Sequence, residues 1–316
     1  MRALVTGGAG FIGSHLVEGL LRSGHEVGII DDFTTGSELN LGESLRRITV
    51  HRGSITDREF AGKAVGGYDV VLHQAARVSV SRSVEDPVAT NQVNADGTLN
   101  MLTAARDSKV KTFVYASSSS VYGDTPVLPK EETMAPHPLS PYAVSKLTGE
   151  HYCRVFARVY GLKTVSLRYF NVYGPRQRAG PYSGVIPAFV KRSLSGERPI
   201  VYGDGTQTRD FTFVKDVVQA NLLCLEGSME AGEVFNVGSH SQTTLNDLAK
   251  ISYSLTGRGD LEPIYRPPRP GDVAHSYADI SKISKALGYR PAYTIESGLR
   301  EVINWFKQAS ENQLIP

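Results

Sequence analysis

Thr6-Gly7-Gly8-Ala9-Gly10-Phe11-Ile12-Gly13 is the stretch that decides the fold. Residues 2–6 before it are apolar and read as a strand. After it Ile12, Leu16 and Leu20 recur every four residues, the core stripe of a helix. Glycine is needed where backbone must approach a diphosphate closely and where a helix packs tightly on a strand. Gly7, Gly10 and Gly13 fill those places. The helix start at Phe11 and Ile12 then supplies amides and a partial positive charge to phosphates. A second strand, Val27-Gly28-Ile29-Ile30, ends in Asp31. A carboxylate there can accept hydrogen bonds from both adenosine ribose hydroxyls and would repel a 2′-phosphate, so NAD is expected rather than NADP.

The rhythm continues outward. Strand Ile48-Thr49-Val50 leads to Gly53-Ser54-Ile55, Val70-Val71-Leu72 to His73-Gln74-Ala75-Ala76, and Thr112-Phe113-Val114-Tyr115 to a run of serines. Val165-Ser166-Leu167-Arg168 leads to Tyr169-Phe170-Asn171. Strands alternating with helical stretches predict an α/β fold with a doubly wound parallel sheet of the Rossmann type, its ligands at the strands' C-terminal ends. Beyond Asn171 the texture changes to loops punctuated by Gly174-Pro175, Gly180-Pro181, Pro267-Pro268 and Pro270-Gly271. The reading is a dinucleotide-binding domain over 1–171 and a smaller α/β substrate domain over 172–316. Val234-Phe235-Asn236-Val237 reads as one strand returning to the first domain.

With 316 residues the chain can bury two cores. Its charge balance, 34 − 32 = +2 without a basic run, gives no reason to expect nucleic acid. No apolar stretch reaches the ~18 residues of a membrane span. The first residues read directly into a strand rather than a signal peptide. Cys153 and Cys224 are too isolated for a disulfide framework or metal site. A reducing cytoplasm, and no metal, are the expectations.

Tyr142 and Lys146 lie four apart in Pro141-Tyr142-Ala143-Val144-Ser145-Lys146, on one face of a helix. A phenol with a pKa near ~10 is a poor base at neutral pH. A positive charge ~4 Å away, at an effective dielectric of ~20, is worth roughly 4 kcal/mol, or about three pKa units. That predicts a tyrosine drawn down into the range useful for proton transfer.

Together these motifs resemble the extended short-chain dehydrogenase/reductase group, and within it the nucleotide-sugar 4-epimerases. The resemblance also rests on Ser117-Ser118-Ser119-Ser120-Val121-Tyr122-Gly123, Arg168-Tyr169-Phe170-Asn171, Arg209-Asp210 and Arg269-Pro270-Gly271-Asp272. It implies that Ser118 and Tyr142 hold the sugar O4 and that Lys146 serves both the nicotinamide ribose and the tyrosine. It places Ile55, Asn94 and Tyr169 near the cofactor, beside the glycine loop and Asp31. Asn171, Arg209 and Arg269 would hold the UDP diphosphate, Tyr202 would pack on the uracil, and Val185, Asp272 and Ser276 would complete the substrate pocket. Homodimerisation through helices near Asn91 and Tyr142 is implied as well. Two departures stand out: Ser54 occupies the place of an adenine-contacting Asp, and Arg77-Val78 differ from the usual nicotinamide pocket.

The reaction this implies is inversion of a UDP-hexose at C4 through a 4-keto sugar. A 4,6-dehydratase would need Asp-Glu where Ser119 and Ser120 stand, and hydroxyls cannot exchange protons as carboxyls do. A UDP-glucuronate 4-epimerase has a similar serine run and stays open. Because Ser276 stands where members restricted to non-acetylated hexoses can carry Tyr, room for an N-acetyl group is expected. UDP-GlcNAc/UDP-GalNAc are therefore favoured, with UDP-Glc/UDP-Gal also accepted. A non-catalytic NAD sensor would typically have lost Tyr or Lys, and this chain keeps both.

Overall fold

The computed structural model describes residues 1–178, 184–227, 229–259, 262–268 and 274–311. Its strands are β1 (Arg2–Thr6), β2 (Glu26–Asp31), β3 (Thr49–Arg52), β4 (Val70–His73), β5 (Thr112–Ser118), β6 (Lys163–Tyr169), β7 (Asn171–Tyr173), β8 (Ile200–Tyr202), β9 (Thr208–Arg209), β10 (Phe211–Phe213), β11 (Glu233–Val237), β12 (Thr243–Thr244) and β13 (Ile264–Arg266). Seven of them form one parallel sheet in the order β3-β2-β1-β4-β5-β6-β11. The expected doubly wound sheet is therefore present, with the reversal of strand order between β1 and β4.

Period-two alternation decides which side chain meets which layer. Leu4, Val71, Phe113 and Tyr115 point to one face, against Met101, Leu102 and Phe156. Val5, Leu72, Val114, Leu167 and Phe235 point to the other, against Leu16, Leu20 and Val217. A third cluster, with Tyr173, Phe189, Phe213, Leu248, Leu299 and Phe306, lies among the later elements. Around it the short strands pair as β7 with β10, β8 with β13 and β9 with β12.

The return of the chain to the main sheet is larger than one strand. Helix Val214–Glu226 contributes Val217, Val218 and Ala220 to the same cluster as helix Phe11–Arg22, and helix Ser281–Leu287 contributes Ile283 and Leu287. Helix formation near Asn91 begins earlier than expected, at Pro87, where Asp86 accepts the Ala89 N–H at 3.0 Å as N-cap. It continues through a π-helical turn, Gln92–Asp96, into Gly97–Asp107. The outer rail of β11 is covered by side chains: Glu132 accepts the Asn236 N–H at 2.7 Å, and Lys282 donates to the Val234 carbonyl at 3.0 Å.

Candidate active site

The glycine loop is shaped by close approach of backbone to backbone. Gly7 has φ +67°, and a Cβ on it would stand 2.9 Å from the Ala75 backbone. A Cβ on Gly13 would stand 2.0 Å from the Gly7 carbonyl oxygen, so the helix can begin this near the loop only with glycine there. Gly10 is the N-cap of Phe11–Arg22; no side chain caps this helix and no acid sits in its first turn. Its first amides and the positive end of its dipole are thus suited to phosphate oxygens.

Asp31 ends β2 beside this loop. Its Oδ2 accepts the Ala9 N–H and its Oδ1 the Phe33 N–H, both at 2.8 Å. Each carboxylate oxygen retains further acceptor capacity for a ribose diol. Burial pushes the Asp31 carboxyl above its ordinary value, and the two amides partly offset this. In the turn after the next strand out, β3, Ile55 is buried against Gly97, whose added Cβ would lie 2.7 Å from Ile55 Cδ1. Ser54 pairs with Thr56 through their hydroxyls at 2.9 Å. The glycine cradle, the uncapped helix and the clamped carboxylate together fit a dinucleotide with a free 2′-hydroxyl.

Ser118, Tyr142 and Lys146 converge at the C-terminal end of β5. Helix Pro141–Tyr160 starts cleanly: Ser140 caps it by accepting the Ala143 N–H at 3.1 Å, and Pro141 takes the first helical position. Tyr142 is 9% exposed and lies beside the Ser118 hydroxyl, which draws its phenol pKa down. Ser118 in turn accepts from the Ser120 amide at 3.2 Å and its hydroxyl at 2.9 Å. Lys146 is 4% exposed, donates to the Ala116 carbonyl at 2.9 Å, and has its Nζ 6.0 Å from the Tyr142 ring centroid.

The electrostatics correct one expectation. In the protein alone the Tyr142 phenol is held above its usual value: burial raises it more than the neighbouring Ser118 hydroxyl lowers it. Lys146 is itself brought down to about 8, by burial. Desolvation of both groups outweighs the attraction that the sequence spacing suggested.

Asn94, whose alternative reading was a helix-surface amide, is 1% exposed. It accepts the Arg77 N–H at 2.8 Å and donates to the Arg77 carbonyl at 3.2 Å and to Ser145 Oγ at 3.0 Å. It therefore ties the loop after β4 to helix Pro141–Tyr160. A buried hydrogen-bond chain fixes its turn from below. The Ala75 amide donates to Thr6 Oγ1 (3.1 Å), Thr6 to His73 Nδ1 (2.7 Å), His73 Nε2 to Thr98 Oγ1 (3.0 Å), and Thr98 to the Asn94 carbonyl (2.5 Å). With Thr98 committed as donor to a carbonyl, the imidazole is the neutral Nε2–H tautomer. Burial, and then the Lys146 charge, bring His73 down to about 3. Tyr169 is buried at the end of β6, accepting from Asn221 at 2.8 Å and donating to Gln74 at 3.3 Å.

The other expected residues lie on the later elements. Asn171 begins β7 and its amide donates to the Asp210 carbonyl at 3.0 Å. Val185 begins helix Val185–Leu194, Tyr202 ends β8, and Arg209 ends β9. Arg209 Nη1 donates to the carbonyls of Thr208 (2.9 Å) and Ala274 (3.1 Å). Half-buried Ser276 is bound to the same strand, its amide donating to the Thr208 carbonyl at 3.1 Å. Arg269 and Asp272 lie outside the described residues.

Three supporting groups were missed by sequence reasoning. Asp210 is fully buried and accepts from the Ser239 amide and hydroxyl, both at 2.7 Å, and from the Ala278 amide at 3.2 Å. Glu150 of helix Pro141–Tyr160 and Arg168 of β6 form a buried ion pair between helix and sheet. The four-residue spacing Tyr142, Lys146, Glu150 carried a signal for Glu150, because it puts a third polar group on one inward face.

A family model described as NAD dependent epimerase/dehydratase matches residues 3–238. A putative UDP-glucose 4-epimerase of Methanocaldococcus jannaschii is 41% identical over 307 residues, 96% of this chain and 98% of that one. The solved UDP-glucose 4-epimerase of Thermotoga maritima, with UDP-glucose, superposes with a TM-score of 0.93 at 41% identity, covering 98% of this chain and 100% of that one. A UDP-N-acetylglucosamine 4-epimerase of Methanobrevibacter ruminantium, in complex with UDP-N-acetylmuramic acid, gives a TM-score of 0.93 at 39% identity, covering 97% and 98%. The parallel sheet, the glycine cradle ending at Asp31 and the Ser118–Tyr142–Lys146 cluster fall within the matched span. On that agreement of site and sequence, the chain belongs to the NAD dependent epimerase/dehydratase family.

Proposed function

We propose that the protein is an NAD-dependent UDP-hexose 4-epimerase acting on UDP-GlcNAc/UDP-GalNAc and also on UDP-Glc/UDP-Gal. The observation that carries this is the buried Tyr142 phenol between the half-buried Ser118 hydroxyl and Lys146, in a loop whose next residues, Ser119 and Ser120, are hydroxyls rather than carboxyls. When bound, NAD supplies a positively charged ring and the oxidation and re-reduction of C4. Tyr142 takes the proton from the sugar O4 and later returns one, while Ser118 orients that oxygen. Lys146 is the chain's own counter-charge for the phenolate. Arg209 and Asn171 hold the diphosphate, with Arg269 as a further expected partner, while the flat 4-keto sugar presents its other face. Forked guanidinium donors suit phosphate oxygens.

The preference for acetylated sugars is supported by the small Ser276 side chain on a segment fixed to β9 next to Arg209. We also infer a homodimer. Val84 and Val88 on helices Val80–Glu85 and Pro87–Asn91, with Val144, Val155 and Val159 on Pro141–Tyr160, are exposed apolar residues on helices that pack together. A cytoplasmic location fits the two buried free cysteines, Cys153 and Cys224.

The decisive experiment incubates purified protein separately with UDP-GlcNAc, UDP-Glc and UDP-GlcA and identifies the products. Interconversion of the acetylated and plain hexose pairs is expected. Turnover of UDP-GlcA alone would replace this reading with a glucuronate 4-epimerase, and a 4-keto-6-deoxy product would replace it with a dehydratase.

A further inference from the structure

Behind the catalytic helix lies a charged assembly that touches none of the reacting groups. Glu150 and Arg168 are each 3% exposed. Their contact is bidentate, Arg168 Nε to Glu150 Oε1 at 2.9 Å and Nη2 to Oε2 at 2.8 Å. Ser117 Oγ adds a donor to Oε1. The three residues come from three elements: helix Pro141–Tyr160, β6 and β5. The guanidinium also lies 4.6 Å from the Tyr122 ring centroid, and the Tyr122 hydroxyl donates to Asn236 on β11 at 2.6 Å.

A buried ion pair is a poor way to stabilise a fold, because desolvation consumes most of its attraction and apolar residues of the same volume often do as well. What it supplies is direction, since two parallel N–H···O bonds fix both rotation and translation of the helix relative to the sheet. Glu150 stands one turn beyond Lys146 and two beyond Tyr142, on the same inward face. Ser117 stands directly before Ser118. The clamp therefore joins the element carrying the phenol and ammonium to the element carrying the hydroxyl they must meet. A second tie acts between, where the Tyr115 hydroxyl donates to the Lys146 carbonyl at 3.3 Å. Gly149 permits that approach, since its added Cβ would fall 2.2 Å from the Tyr115 oxygen.

We propose that Glu150, Arg168 and Ser117 are positioning residues that set the register of Tyr142 and Lys146 against Ser118. The inference rests on the epimerase reading above. A displacement of about 1 Å between reacting groups can cost about a hundredfold in rate.

The test pairs E150L/R168L, which removes both charges together, with the single isostere E150Q. Both are measured for kcat and KM on the sugar nucleotide that the wild type turns over, for Tm, and by crystal structure. The double variant is expected to melt within a few degrees of wild type. Its kcat should fall about a hundredfold with KM within about threefold, and its Tyr142–Ser118 separation should widen by about 1 Å over wild type. E150Q should lose about tenfold in kcat through loosened Arg168 contacts. A double variant with wild-type kcat overturns the proposal. If that variant does not fold, E150Q with wild-type kcat does so instead. A wild type inactive on every UDP-sugar defeats the epimerase reading, and the crystal structure then decides this inference alone: a Tyr142–Ser118 separation unchanged from wild type without the ion pair refutes it.

Discussion

The two groups of expected site residues are built by different means. On the sheet side the expected site groups are mostly buried and their surroundings are largely backbone: Gly7, Gly13, Asp31, Asn94, Tyr142 and Lys146 are fixed by strand ends, helix starts and amide contacts. On the other side Tyr202, Arg209 and Ser276 are half-buried and sit at the ends of, or beside, strands of two or three residues. Groups that perform the chemistry shared by a family need desolvation and rigidity. Groups that select a sugar can stand on short segments whose replacement leaves the sheet intact. A substitution on the first side should therefore disturb proton transfer, cofactor retention or stability, and one on the second should chiefly change KM.

The largest effect is expected from K146M. Turnover should fall about a thousandfold, yet the cofactor-free variant should be more stable than wild type at pH 7. Lys146 titrates at about 8 in the fold against its ordinary 10.5. Between those values the unfolded chain holds a proton the fold has released, so wild-type stability rises from pH 8 toward 10.5. Below pH 8 the fold carries the whole cost of a buried ammonium. The variant's advantage should be about 1–3 kcal/mol at pH 7 and shrink toward pH 10; thermal melting across that range measures it. A variant less stable than wild type at pH 7 would mean that the bond to the Ala116 carbonyl outweighs burial.

G13A should be next. Its methyl would meet the Gly7 carbonyl at 2.0 Å, forcing loop and helix apart. NAD affinity should drop about ten- to a hundredfold, the equivalent of 1–3 kcal/mol of overpacking. Calorimetric titration with NAD reads this directly, and unchanged affinity would show that the cradle is more compliant than its contacts suggest. R209A should have the smallest effect. KM for the UDP-sugar should rise about tenfold while Tm and NAD affinity stay near wild type; a matching loss of cofactor would erase the contrast between the two sides.

Much of the sheet side was legible because its signals are local. The glycine spacing, the strand ending in Asp31 and the four-residue step from Tyr142 to Lys146 each lie within one element and its immediate turn. What escaped depended on distant partners. The π-helical turn at Gln92–Asp96 is held by Arg77 and Ser145, and no periodicity within residues 87–107 announces it. The upward shift of Tyr142 arises from burial created by the whole assembly, so a pairwise estimate from spacing gave the opposite sign. The return of helix Val214–Glu226 to the sheet was hidden because its apolar stripe says that it packs, not on what.

That return limits how the molecule can be taken apart. The sheet is finished by β11, which begins 233 − 169 = 64 residues beyond the end of β6, and its far rail is sealed only when Glu132 and Lys282 arrive from either side of it in the chain. No single scission separates a self-sufficient coenzyme half from a sugar half, so exchange of specificity between relatives by recombination is confined to internal cassettes lying between β6 and β11 or after β11, with both ends of each graft anchored in the recipient.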